Sequence, residues 1–355
     1  MMIDSAISLI IPVHNGGQNF SLCLCSLEQF APLSTEIIIV VDGGTDESEA
    51  LARAFAQGSG AKVFVSVTAS GPAHARNLGA KIAKGDILFF MDADVVLQAD
   101  TLEQVMQIFQ GRPDIAALIG SYDDEPGATN FLSQYKNLFH HYTHQTASGV
   151  ASTFWGACGA IRRTIFLEMN GFDESYRYPS VEDIELGYRL KKAGHQLLLC
   201  KTIQVKHLKE WRSRSLLKAE IFYRAIPWTE LLWRDRQFVN DLNLKVSTRA
   251  SVLLTYLLVF AIAMSGWWSP SLLVTAVLSL ILLAINRSVY RFFWSKRGLW
   301  FACWTVPWHW LYFFYSGLSF VIGTLRYRIF GKPRAAKSIS RLHASESTFQ
   351  SAAKF

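Results

Sequence analysis

The sequence predicts an α/β protein: a mostly parallel sheet covered by helices, followed by C-terminal hydrophobic membrane helices. Three observations lead there. Apolar strand-like runs alternate with helix-like spacing four times within about the first 95 of 355 residues. Each run stops abruptly at Asn, Asp or Gly. In the last third of the chain, by contrast, long stretches carry no charge at all.

The first strand is Ile7-Ser-Leu-Ile-Ile-Pro-Val13, closed by His14-Asn15-Gly16-Gly17. Helical spacing follows over 18–30, at Phe20, Leu24 and Leu27. A second buried-type strand, Glu36–Val41, is cut by Asp42-Gly43-Gly44, and Asp46–Gln57 reads as helix. Lys62–Val67 is the third strand, with a Gly-Pro loop and then a helix from about His74 to Ala83. The fourth, Ile87–Met91, ends at Asp92. Beyond it the pattern predicts a helix over 101–110, a strand near 115–121, a polar loop at 123–127 and a helix over 182–193.

Open sheets of this kind bind ligands beyond the carboxyl ends of their strands. Asn15, Asp42, Gly71 and the pair Asp92/Asp94 all fall there. Asp-x-Asp alone is a common tripeptide. Three acids gathered in one crevice are different, because like charges repel and so need a cation or a ligand between them. Two carboxylates two residues apart at a strand end suit a hard divalent ion, which in turn bridges phosphate oxygens.

Ala250–Trp268, Ser271–Asn286 and Gly298–Leu325 are free of charged side chains, the last interrupted by Pro307 and His309. A helix crosses a bilayer with roughly 20 apolar residues, so the first stretch qualifies by itself. Residues 324–355 carry a net +6 and 287–297 a net +4, which leaves 1–286 at −3 of the total +7. The basic character thus belongs to the membrane-flanking parts, where Lys and Arg favour the cytoplasmic face and anionic lipid. No nucleic-acid partner is expected, since that function wants its cations on the folded domain. Between 211 and 247, Trp211, Trp228 and Trp233 interleave with Arg and Lys, a composition suited to helices in a membrane interface. The five scattered cysteines form no zinc spacing, and no disulfide partner is expected. Ile7–Val13 is too short for a signal peptide, so the first 240 residues are expected in the cytoplasm.

Six short elements in order resemble a family-2 glycosyltransferase with the GT-A fold, from about Ile7 to His207. They are Ile11-Pro-Val-His-Asn15, Val40-Val-Asp-Gly-Gly-Thr-Asp46, Gly71-Pro-Ala-His-Ala-Arg-Asn77 with Gly79, Gly85-Asp-Ile-Leu-Phe-Phe-Met-Asp-Ala-Asp94, Gly171-Phe-Asp-Glu174, and Glu182-Asp-Ile-Glu-Leu-Gly-Tyr-Arg-Leu190 with Gly194. The resemblance implies an inverting transfer from a nucleotide-sugar with Mg²⁺ or Mn²⁺ as cofactor. It implies that Pro12, Asn15, Asp42, Arg76 and Asp92 bind the nucleotide-sugar and that Asp94 ligates the metal. His207, at a position where some relatives keep a histidine near the metal or diphosphate, is a second metal candidate. Asp183 is implied as the catalytic base, a carboxylate within reach of the acceptor hydroxyl. Glu182, Trp155, Gly156 and Arg162 are candidates for the acceptor side.

The chain departs from the family at Val41, where a second acid is frequent, and in a shorter 43–45 loop. It also lacks the Gln-x-x-Arg-Trp element of processive synthases, which favours a single transfer. The predicted organisation is a catalytic domain over 1–210, amphipathic interfacial helices over 211–247, hydrophobic helices over 248–325 and a basic, disordered tail over 326–355. The expected function is transfer of one sugar to a lipid-linked or membrane-associated acceptor of the cell envelope. The enzyme is expected to be multi-pass in the cytoplasmic membrane, with the catalytic domain inside. Transfer to polyprenyl phosphate and a non-catalytic nucleotide-sugar-binding scaffold are the rival readings.

Overall fold

A computed structural model describes residues 6–236 and 245–331. In chain order its elements are β1 (Ile7–Val13), α1 (Gly17–Phe30), β2 (Glu36–Asp42), α2 (Ser48–Ser59), β3 (Lys62–Ser66), α3 (Pro72–Ile82), β4 (Ile87–Met91), the short β5 (Val95–Val96) and α4 (Thr101–Gly111). There follow β6 (Ile115–Tyr122), α5 (Phe131–Gln145), β7 (Cys158–Arg162), α6 (Arg163–Glu168), α7 (Glu182–Lys192) and β8 (Gln196–His207). The remainder is helical: α8 (Ser213–Lys218), a π-helical turn (Ala219–Ala225), α9 (Ile226–Asp235), α10 (Val246–Met264), α11 (Ser271–Ile285) and α12 (Arg287–Phe330). The chain divides into two compact units, one built from 1–119 and 153–198, the other from 120–152 and 199–333.

In the first unit the strands run in the order β3-β2-β1-β4-β7-β6. β1, β2, β3 and β4 are parallel, with Ile10 paired to Ile38 on one side and to Phe90 on the other. β4 is buried along its whole length, as the uninterrupted apolar run requires of a strand covered on both faces. β7 enters antiparallel between β4 and β6. The sheet is therefore mostly, not wholly, parallel.

Helix boundaries follow local chemistry. α2 stops at Gly60, whose φ of 70° is the left-handed C-cap glycine supplies cheaply. α3 begins at Pro72, whose missing N–H is no loss in a first turn. α7 carries Glu182, Asp183 and Glu185 in its first turn and Arg189, Lys191 and Lys192 in its last, matching the helix dipole at both ends. Behind the carboxyl end of β4, Phe90 packs on Phe154, Phe166 and Phe172 with ring centroids 5.1–6.2 Å apart. That buried aromatic block gives the site a rigid floor.

In the second unit α5 packs its aromatic stripe on α12. Tyr135 and Leu138 are buried with Val289, Phe293 and Ala302. Lys136 reaches the buried Glu220 at 2.7 Å, and Glu220 also takes Arg224 at 3.0 Å. α9 lies against α12, where Trp233 donates to Thr324 Oγ1 at 2.9 Å. Of the helices among the described residues, α10 is the one long and apolar enough to cross a membrane by itself. α11 has 15 residues, short of a span; together with α12 it passes the same test only as a pair bent by 66°. Phe260 and Trp267 are 65% and 83% exposed, and Leu253, Leu272 and Leu280 are exposed as well. Large apolar side chains exposed on this scale mark an interaction with lipid or protein. The break within α12 lies at Gly298 (φ 83°, ψ 171°), the first residue of the last hydrophobic stretch, and the helix continues through Pro307, which sequence alone makes the obvious breakpoint. Most of the basic tail, 332–355, and residues 237–244 of the interfacial stretch lie outside the described residues.

Candidate active site

Arg76 is the centre of the site. The turn of α3 that carries it faces the carboxyl end of β4, and its side chain is buried. One guanidinium nitrogen donates to Asp92 Oδ1 at 2.7 Å, another to Glu182 Oε1 at 2.9 Å. The same group lies over the Phe172 ring, 5.5 Å from its centroid. Burial works against the charge, but the carboxylates of Asp92, Glu182 and Asp183 outweigh it and raise the Arg76 pKa above its ordinary value. Gly156 makes this placement possible: a Cβ there would stand 2.9 Å from the guanidinium carbon.

Asp183 sits at the start of α7. Its Oδ2 accepts the Gly156 N–H at 3.1 Å and its Oδ1 accepts the Ile184 N–H at 2.7 Å. Gly156 thus touches both the arginine and the candidate base. Glu182 is buried, and its second oxygen accepts the Ser180 N–H at 2.9 Å. Asp94 follows Asp92 in a turn closed by the Val95 N–H on the Asp92 carbonyl. Both carboxylates act on the buried Cys23 thiol, which burial first and then Asp94 and Asp92 push far up. Asp92, Asp94, Glu182 and Asp183 against Arg76 leave a formal imbalance of three negative charges in this set.

The other residues that the sequence singles out for the nucleotide lie at the carboxyl ends of β1 and β2, beside the loop after β3. Asp42 is buried, and its carboxylate accepts the Ser70 N–H at 2.9 and 3.1 Å and the Gly71 N–H at 2.6 Å. Asn15 has a left-handed backbone (φ 52°), and its Oδ1 accepts the Thr45 N–H at 2.8 Å. Pro12 is half-buried in β1 opposite Val40.

One of the sequence candidates stands at the opposite end of its strand pair. Arg162 pairs with Ile87 while Met91 pairs with Cys158, so Arg162 is at the far end of β4 from Asp92, roughly 16 Å along the strand. Its guanidinium is spent on the carbonyls of Ile115, Phe109 and Arg112 and lies over the Phe109 ring. The acceptor-side expectation for Arg162 is therefore corrected: it ties β7 to the loop after α4. His207 belongs to the second unit, buried, with Nδ1 2.6 Å from Asn137 Oδ1 and its ring stacked on Tyr122 at 4.2 Å. Trp155 is half-buried directly before Gly156.

Sequence reasoning missed what holds the motifs together. Asn77 donates to the Phe172 carbonyl and to Glu174, and accepts the Phe172 N–H. His74 adds a 3.0 Å contact to Glu174. The Ala-Arg-Asn and Gly-Phe-Asp-Glu elements are thus two halves of one clamp, legible only as a pair of complementary polar motifs.

Among the described residues no group of three or more His, Cys, Asp or Glu is arranged to hold a metal ion by itself. The donors that are present, two carboxylates at a strand end, nonetheless fit Mg²⁺ or Mn²⁺ chemistry. Such ions take one or two protein carboxylates and complete their shell with substrate phosphates and water.

The strand order and the crevice at the ends of β1, β2 and β4 define the class: the fold is the GT-A-like α/β fold. Among solved structures, the mannosyltransferase PcManGT of Pyrobaculum calidifontis, in complex with GDP-Man and Mn²⁺, superposes with a TM-score of 0.51. It is 15% identical and covers 90% of this chain and 88% of its own. TarS 1–349 of S. aureus gives 0.50 at 15% identity, with 91% of both chains covered. Residues 8–169, a little under half of the chain, match the family model described as Glycosyl transferase family 2. The chain is 31% identical over 121 residues to glycosyltransferase GlyG of Streptococcus pneumoniae, covering 34% of this chain and 40% of that protein. It is 25% identical over 240 residues to O-antigen chain rhamnosyltransferase RfbN of Salmonella typhimurium, covering 63% of this chain and 74% of that one. The amylovoran biosynthesis glycosyltransferase AmsB of Erwinia amylovora is also 25% identical, over 245 residues, with 65% and 79% covered.

Proposed function

We propose that this protein is a metal-dependent, inverting glycosyltransferase that moves one sugar from a nucleotide-diphosphate donor to a lipid-linked acceptor at a membrane. The observation that carries the reading is Arg76, held between Asp92 and Glu182 with Asp183 beside it at the start of α7. One end of that cluster belongs to the strand that presents Asp-x-Asp, the other to the helix that presents the base.

In the proposed reaction the acceptor hydroxyl oxygen attacks the anomeric carbon, the bond from that carbon to the diphosphate breaks, and the hydroxyl proton passes to Asp183. Backbone N–H groups on both Asp183 oxygens fix the carboxylate and leave lone pairs for the proton. Arg76 keeps Asp92 and Glu182 in place, and with them the turn that presents Asp94. A divalent cation at Asp92 and Asp94 would supply Lewis-acid stabilisation of the leaving diphosphate. Asp42 fixes the Ser70–Gly71 loop that opens α3, and Asn15 fixes the loop after β2, so the base and ribose meet preformed backbone.

The domain match supports sugar transfer, and the Mn²⁺ and GDP-Man of the archaeal structure are in keeping with a metal and a nucleotide-sugar. The O-antigen relatives support a lipid-linked acceptor, and the exposed apolar surface of α10 and α11 supports a membrane location. The test is calorimetry and turnover with the purified full chain, Mg²⁺ or Mn²⁺, and a panel of nucleotide-sugars. One donor should bind and be consumed on addition of membrane lipid extract. Failure of every donor to bind would remove the reading.

A further inference from the structure

Within the second unit a cavity of about 410 Å³ opens between the π-helical turn, α9, α10 and α12. Its size is that of a ligand site, typically roughly 300–1,000 Å³. Trp228, Val252 and Phe320 give it an apolar wall, and Arg224 and Arg249 supply its positive charge. Glu220 also faces the cavity, but Lys136 at 2.7 Å and Arg224 at 3.0 Å neutralise it. Two guanidinium groups against one carboxylate leave the lining itself at +1.

The position of Arg249 narrows the choice of occupant. It stands in the first turn of α10, the helix that qualifies by itself as a membrane span, and it is exposed. Among the described residues no acid pairs with it. At the entry to a span, a cation lies level with lipid headgroups, and Trp228 suits the same depth. An apolar chamber with two arginines at headgroup level complements an amphiphile with an anionic head and a hydrocarbon chain. A wholly apolar ligand would leave Arg249 unused, and a free anion would leave the apolar wall uncovered.

We propose that this cavity binds a lipid phosphate, its chain along Trp228, Val252 and Phe320 and its phosphate at Arg224 and Arg249. The inference rests on the reading of a lipid-linked acceptor and identifies where the lipid end of that acceptor is held. Arginine meets phosphate through paired, charge-assisted hydrogen bonds, which sets the specificity for the head.

The test is titration of the full chain in a non-ionic detergent with dodecyl phosphate, dodecanol and inorganic phosphate, followed by calorimetry. Dodecyl phosphate should bind about tenfold or more tighter than dodecanol, and inorganic phosphate should not displace it. Arg249→Gln, at an exposed site, should weaken dodecyl phosphate about tenfold, the loss expected for one charge-assisted contact. Thr248→Trp, which narrows the same cavity, should weaken both dodecyl phosphate and dodecanol. Equal affinity for dodecyl phosphate and dodecanol, or unchanged binding in both variants, overturns the proposal. Nucleotide titration of the same protein reports separately on the donor reading. Nucleotide binding without dodecyl phosphate binding overturns the cavity alone, whereas the reverse supports the cavity and removes the donor site.

Discussion

A single methyl group at position 156 is enough to disturb the arginine around which the acids are arranged. The backbone there does not need glycine for its φ, so Gly156→Ala changes only the space available. The added Cβ would lie 2.9 Å from the Arg76 guanidinium carbon and 3.1 and 3.2 Å from two of its nitrogens. Carbon atoms in good contact sit about 3.5–4.0 Å apart, so the guanidinium must retreat by roughly 0.5–1 Å. It has little room, being bonded to Asp92 at 2.7 Å and Glu182 at 2.9 Å and lying over Phe172. A retreat of that size carries one of the two bonds beyond hydrogen-bond range. Loss of one charge-assisted bond at a buried site costs about 1.5–3 kcal/mol, in line with about 1–3 kcal/mol for overpacking. Tm should fall by roughly 5–10 °C. Because Gly156 also holds Asp183, the transfer rate should fall on the order of 100-fold, the usual cost of misplacing a reacting group by about 1 Å. Gly149→Ala is the control, since a Cβ there meets nothing. Thermal unfolding and initial rates for the two variants decide the matter. If Gly156→Ala matches Gly149→Ala in both, Arg76 is not held as described.

Three further outcomes follow from the same packing. The His74 pKa is raised by its bond to Glu174, so this stabilisation is present below pH 6.5 and lost as pH rises through the raised native value. His74→Gln should therefore cost about 0.5 kcal/mol at pH 6, a small value because both side chains are a third exposed, and nothing by pH 9 in urea titrations. Lys136→Met leaves the buried Glu220 with Arg224 as its one cation beside the Tyr315 hydroxyl and should destabilise the second unit by about 3 kcal/mol, read as a lower urea midpoint. Chelation with EDTA should abolish transfer and Mg²⁺ or Mn²⁺ restore it, whereas Asp94→Ala should resist rescue at any metal concentration; unaltered turnover in EDTA would exclude the metal role.

The first four strands were legible because a strand buried on both faces leaves an unbroken apolar run, and a crevice leaves polar residues where the run ends. Glu36–Asp42 and Ile87–Met91 agree with the sequence reading to within one residue. β7 was not legible. Cys158-Gly-Ala-Ile-Arg162 has no alternation and little β-propensity, and it is a strand because Met91 and Ile119 offer it edges on both sides. α5 did leave a signal, the stripe Phe131, Tyr135, Leu138 and Tyr142 at helical spacing, but its partners on α12 lie some 150 residues away. In the site, Asp92, Arg76 and Asp183 could be singled out from short motifs. That Glu182 shares Arg76 with Asp92, and that Arg162 turns to the opposite end of the sheet, depends on how α7 and β7 pack. No local pattern encodes that.

The most direct test of the account is sugar transfer by Asp183→Asn, with donor affinity measured alongside. Asparagine keeps the shape of the side chain and an acceptor for a backbone N–H, and removes only the capacity to take a proton. The account predicts a rate lower by about 10²–10⁴-fold with donor affinity within a few-fold of the unaltered protein. A variant that transfers sugar at the normal rate would contradict it.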